Sequence, residues 1–233
     1  MLAGLQVIGQ HGVLQIDENY RNYALAAVLQ LRDYPGTPWA VVIDDPQIVP
    51  LPAWPHYRVQ MDVDAELPIV VMDQPGQAYL EEICVPSIFP IGPNRWRIVI
   101  YTNTDPAQRR TRILVYGLSS TVPAGTLFEV RNAQEALVFS DAMRVMKLVG
   151  AGAAPPGKAY GLAFMAPESR THEETDPYTR RIRYSWLRVY SKHGNGTFVD
   201  RDVIVDFALD EGSSRGVVAQ RVGHTSTVDI TGL

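Results

Sequence analysis

Short apolar runs, broken at close intervals by proline and glycine, set the pattern of this chain. In Tyr57-Arg58-Val59-Gln60-Met61-Asp62-Val63 the apolar residues fall on one face and Arg58, Gln60 and Asp62 on the other. That is the two-residue period of a half-buried strand. Residues 39–43, 95–101 and 182–190 are equally rich in Val, Ile, Tyr and Trp. Breaks fall at 34–38, 51–55, 74–76, 91–93, 122–125 and 154–157. Proline is excluded from helix interiors and kept to strand edges, so long helices have little room. Gly194-Asn195-Gly196 supplies the positive-φ residues of a hairpin turn, with 197–199 and 203–207 as its return. Residues 223–230 read as a final edge strand. Two segments stay open between helix and strand: 20–31, whose apolar positions fit the helical period, and 141–148.

The pattern also repeats. Aligned without gaps, 5–17 resembles 128–140, with Val7 on Val130, Leu14 on Leu137 and Ile16 on Phe139. Farther on, Arg21 falls on Arg144 and Leu25 on Leu148. Each copy reads as strand, polar turn, strand, a β-hairpin opening a unit. The expected architecture is therefore all-β, with two β-sandwich-like units built from antiparallel hairpins, 1–120 and 121–233, and little helix.

Composition narrows the function classes. A chain of 233 residues can bury a core without disulfides or metal. The formal net charge of −4 argues against a general nucleic-acid binder. The single cysteine, Cys84, lies in an apolar run and reads as a small buried hydrophobe. No run approaches the ~20 apolar residues that span a bilayer, and the first residues lack a basic, then apolar, leader pattern. Synthesis in the cytoplasm is expected.

The opening Gly4-Leu5-Gln6-Val7, the turn Gln10-His11-Gly12, and Leu14-Gln15-Ile16-Asp17-Glu18-Asn19-Tyr20-Arg21-Asn22 resemble small structural proteins encoded in the tail modules of long-tailed phages. Val130-Arg131-Asn132 to Leu137-Val138-Phe139-Ser140-Asp141 looks like the same families' recurring hairpin. One departure is Glu135, which stands where that hairpin usually carries Gly. The resemblance implies a β-rich virion component near the distal tail, acting in an oligomer with other tail proteins. It transfers no ligand and no functional residue.

Candidate chemistry is sparse. Gly212-Ser213-Ser214-Arg215-Gly216 matches G-x-S-x-G, yet a nucleophile elbow needs a helix after the serine, and 217–222 reads as a strand. His224 also precedes Asp229, the reverse of the order that fold requires. The histidines, His11, His56, His172, His193 and His224, have no metal-ligand spacing. Asp44-Asp45 and Asp62/Asp64 read as turn or face residues. Arginines cluster at Arg95, Arg97, Arg109, Arg110 and Arg112, and at Arg180, Arg181, Arg183 and Arg188 among Tyr184, Trp186 and Tyr190. Rings inward and charges outward is what an ordinary strand shows, and stacking of bases or sugars is the alternative. No catalytic residue, cofactor or metal is expected. The expected function is a non-enzymatic component of a phage tail tip, in a symmetric oligomer near the host-contacting end. The alternatives are a glycan- or receptor-binding module, with Trp54 or Tyr178 exposed in loops, and a hydrolase of cell-surface polymer.

Overall fold

Alternation needs one covered face, and strands apolar on both faces need two. Both kinds occur here. A computed structural model describes residues 6–8, 14–17, 21–39, 56–75, 81–118, 123–132, 134–150, 157–166, 169–175, 180–192, 197–211, 216–221 and 224–233, several of them by backbone alone. In chain order the strands are β1 (Gln6–Ile8), β2 (Leu14–Asp17), β3 (Tyr23–Gln30), β4 (Thr37–Trp39), β5 (His56–Asp64), β6 (Ile69–Asp73), β7 (Ile83–Gly92), β8 (Arg95–Thr102) and β9 (Arg112–Leu118). Then follow β10 (Glu129–Arg131), β11 (Leu137–Ser140), β12 (Lys147–Gly150), β13 (Tyr160–Ala166), β14 (Ser169–Thr175), β15 (Arg180–Lys192), β16 (Phe198–Glu211), β17 (Gly216–Arg221) and β18 (His224–Asp229). The only helices among the described residues are two short 3-10 turns. None is long and apolar enough to cross a membrane. The all-β class expected from the pattern is the class observed.

Two large antiparallel sheets pack face to face. One runs β12-β18-β13-β6-β9-β3, the other β17-β14-β15-β7-β8-β5-β4, with β16 paired to β15. Val59, Met61 and Val63 of β5 point inward while Arg58, Gln60, Asp62 and Asp64 are exposed. With Ile83, Val85, Ile98 and Ile100 they meet Val70, Met72, Ile113, Val115, Leu162 and Phe164 of the six-stranded sheet. This is the interdigitated core of a sandwich. The six-stranded sheet buries a second core on its other face: Val71, Leu114, Tyr116, Ala163, Val228 and Ile230. That explains why the apolar positions of 20–31 do not alternate as those of a one-sided strand do. Tyr23 and Leu25 of β3 serve the second core, and Ala27 and Leu29, beyond a bulge, serve the first. Of that segment 23–30 are strand β3, and of 141–148 only Lys147 and Leu148 belong to a strand, β12. β18 is not an edge strand, since β12 and β13 pair with its two sides.

The six-stranded sheet closes. Leu25 N donates to Arg144 O at 3.0 Å and Met146 N to Tyr23 O at 2.8 Å. Ala24 and Val145 form a bridge. Residues 144–146 run directly into β12, so hydrogen bonding passes all the way round a six-stranded ring. Both sheets take strands from both sides of residue 120.

The ring carries the sequence repeat in its register. β1 pairs β2 as Gln6↔Asp17, Val7↔Ile16 and Ile8↔Leu14. Adding 123 to each number gives the pairing of β10 with β11: Glu129↔Ser140, Val130↔Phe139 and Arg131↔Leu137. The irregularity falls at the same step in both. Leu25↔Tyr116 and Ala27↔Val115 become Leu148↔Val228 and Gly150↔Thr227 on adding 123 to one strand and 112 to the other, bulge included. Val70↔Val115 and Val71↔Leu114 likewise become Leu162↔Thr227 and Ala163↔Ser226 on adding 92 and 112. The ring and the two hairpins beside it are thus two copies of one unit, a hairpin and three strands, with the strands ordered β3-β9-β6 and β12-β18-β13. They meet about a local two-fold axis at Val71↔Ala163. The offset drops by 31 because only 151–159 separate β12 from β13, leaving no counterpart of β4 and β5. It rises by 20 where β14 to β17 stand in place of β7 and β8.

Candidate functional site

Most charged candidates from the sequence are committed to the fold. Arg97 donates to both oxygens of Asp62 at 2.7 and 2.9 Å, and this fork pair holds the Asp62 carboxyl below its usual range. Arg95 stands 3.9 Å from the same carboxylate. Arg109 is 1% exposed and donates to the carbonyls of Tyr34 (2.5 Å), Pro35 (3.0 Å) and Thr104 (2.9 Å). Its guanidinium lies over the Tyr57 ring at 4.9 Å, and burial pushes its pKa down. Arg112 pairs with the buried Asp73. Arg110 N and Thr111 N both donate to Glu81, itself 2% exposed. Arg188 lies 3.3 Å from Asp200 and 3.2 Å from Asp202 on the neighbouring strand. These residues tie turns and strands together.

The remaining candidates are scattered. His56 is buried with its ring 4.8 Å from that of Tyr101, and Cys84 is buried beside Leu187 and Val189. His172 and His224 lie on β14 and β18. Arg180, Arg181, Arg183, Tyr184 and Trp186 follow one another along β15. Ser214, His11, His193, Asp44, Asp45, Trp54 and Tyr178 lie outside the described residues. The chain on either side of Ser214 is strand, β16 before and β17 after, where a nucleophile elbow has a helix. Among the described residues, no group of three or more His, Cys, Asp or Glu is placed to hold a metal ion.

What the structure does assemble is a groove of about 930 Å³ at the rim of the ring. Its walls come from both copies: Asn22 and Tyr116 from the first, Phe139, residues 143–147, Lys158, Asp229 and residues 231–233 from the second. The floor is apolar, with Phe139, Met143, Val145 and Met146. Tyr116 is 1% exposed overall, and burial raises its phenol pKa while the nearby Arg144 lowers it. Asn22 donates its amide to Val138 O at 3.0 Å, which leaves its carbonyl oxygen free to accept. Lys158 and Asp229 neutralise one another at 2.7 Å, and with Thr231 this holds the Asp229 carboxyl down at about 2. Arg144 and Lys147 are exposed and make no ion pair among the described residues.

Sequence reasoning missed this groove. A usable signal was present: the repeat already aligned Arg21 with Arg144, and asking which acid serves each arginine leads to the rim. The chain matches no protein-family model, no curated protein and no solved structure.

Proposed function

We propose that this chain is a non-enzymatic structural component of a phage tail tip, working in a symmetric oligomer with other tail proteins near the host-contacting end. Assembly in the host cytoplasm and residence in the virion belong to the same reading. The observation that carries it is the repeated hairpin. The two segments that resemble tail-module proteins are two copies of one structural device, equal in register and in the position of the bulge. β2 and β11 pack against one another, so the motif is used for architecture. Commitment of Arg97, Arg109, Arg112 and Arg188 to ion pairs and carbonyls favours the same view.

A glycan- or receptor-binding role is the second reading. The groove favours it, because an apolar floor beside unpaired cations suits a ligand better than a subunit joint. The test of the first reading is mass spectrometry of density-purified particles from the source strain. Recovery in fixed ratio to the capsid and tail proteins is expected. Absence from intact particles would overturn the tail assignment.

A further inference from the structure

The duplication supplies an internal control for the groove. In the first copy Arg21 forms a fork pair with Glu66, at 2.7 and 2.8 Å. Glu66 is placed by its own carbonyl, which accepts from Leu118 N at 2.9 Å. The matching bond in the second copy runs from Ile230 N to Ala159 O, also 2.9 Å. Residue 230 is 118 plus the same 112 that relates β9 to β18. So where the first copy puts a glutamate, the second puts Ala159 by the hydrogen bond and Lys158 by the offset of 92, and neither is an acid. The arginine is repeated as Arg144 and its acid is not. Among the described residues no carboxylate pairs with Arg144; Lys147 lines the groove with it, and the one acidic side chain in the lining, Asp229, is paired to Lys158.

Three other features define what would fill it. The Tyr116 hydroxyl makes no hydrogen bond among the described residues, although the residue is almost wholly buried and lines the groove. The Asn22 carbonyl oxygen likewise accepts no hydrogen bond among the described residues. Phe139, Met143 and Met146 supply apolar lining. An extended peptide would need a free strand edge for its main chain. Here β12 is paired to β18, and residues 144–146 are bonded to β3. A pyranose ring that bears a carboxylate matches better. Its C–H face suits the apolar floor, its hydroxyls the Tyr116 and Asn22 oxygens, and its carboxylate the Arg144 fork.

We propose that the groove at the ring's rim binds an acidic saccharide, with Arg144 and Lys147 taking its carboxylate as Arg21 takes Glu66. This rests on the glycan-binding reading of the groove and does not depend on the tail assignment, since particle composition tests the tail reading and the purified chain tests this one. The sum of the groove's charges opposes the net charge of −4 of the whole chain, so anion capture at the rim is a local property. Leu233 O, which also borders the groove, faces Arg112 Nη2 at 3.4 Å.

The methionines provide the readout. Met143 and Met146 line the groove, while Met61 and Met72 are fully buried in the main core. The full chain, carrying 13C-methyl methionine, is titrated with digalacturonate, with neutral maltose, with a tetraglutamate peptide and with sodium chloride. Saturable shifts at Met143 and Met146, with Met61 and Met72 still, are expected for digalacturonate. Maltose should bind at least about tenfold more weakly, the worth of one charge-assisted contact. The double variant Arg144→Gln, Lys147→Gln should lose about tenfold or more in affinity, and Tyr116→Phe a smaller factor, with the Met61 and Met72 signals unchanged as proof of folding. No saturable response to digalacturonate would overturn the proposal. So would an equal response to maltose, to the peptide or to chloride, or undiminished binding by a folded double variant.

Discussion

Arg109 shows how a charge can be structural. It is 1% exposed, and its guanidinium satisfies three carbonyls from two turns, at Tyr34, Pro35 and Thr104. Replacing it with alanine strands those acceptors away from water. Arg109→Ala is expected to cost about 3–5 kcal/mol in urea unfolding. Arg109→Lys should recover little, because an ammonium lacks the planar fork. Asp229 makes a pH prediction. Its folded pKa of about 2 lies below the unfolded value of about 4. A group lowered in this way adds stability above the unfolded pKa and loses it as pH falls through the folded one. Stability should therefore decline from about pH 4 to about pH 2. In Asp229→Asn the profile over that range should be flatter than in the parent, as read from urea midpoints. Asp62, Glu66 and Asp141 are lowered as well and remain in both proteins, so the difference isolates Asp229.

At the scale of elements, the two hairpins explain the one departure from the resembled pattern. Glu135 adopts φ +61°, the left-handed conformation that glycine takes without cost. Its equivalent in the first copy, 123 residues earlier, is Gly12. The second turn holds this conformation with a glutamate in place, helped by the Asn132 side chain, which accepts from Gln134 N and Ala136 N. Glu135→Gly should stabilise by about 0.5–1 kcal/mol, relief of the left-handed strain exceeding the added chain entropy. A neutral or destabilising result in thermal unfolding would contradict this account. The strands were legible where one face is wet: β5, β8 and β15 fall where alternation or β-branched enrichment put them. β3 was not, because it lies between two cores and its bulge switches faces between Leu25 and Ala27. The position of β18 was hidden for a related reason. A sequence reports that a strand has a covered face but not how many neighbours flank it. The groove was hidden because its residues come from distant segments and only ring closure unites them.

At the scale of the molecule, the repeat does not divide the chain into separate halves with separate sheets. The ring draws β3, β6 and β9 from one copy and β12, β13 and β18 from the other. At the joint, Gly161 leaves no room for a side chain: a Cβ there would stand 2.6 Å from the Val71 side chain. Shared cores of this kind predict one cooperative transition, with calorimetric and van't Hoff enthalpies equal. Two resolved transitions would show instead that the copies are stable alone.

The closed ring also has a mechanical meaning. Among the described residues two joints connect the copies within it: the three residue pairs from Val70 to Met72 with Phe164 to Leu162, and the short contact of Tyr23 and Leu25 with residues 144–146. Every other joint in the hoop lies within one copy. Tension drawn across the hoop would therefore concentrate on those two short welds. The hoop would part along its own two-fold axis, as a clasp does, and because both cores are shared between the copies, opening it there would expose them and unfold the whole.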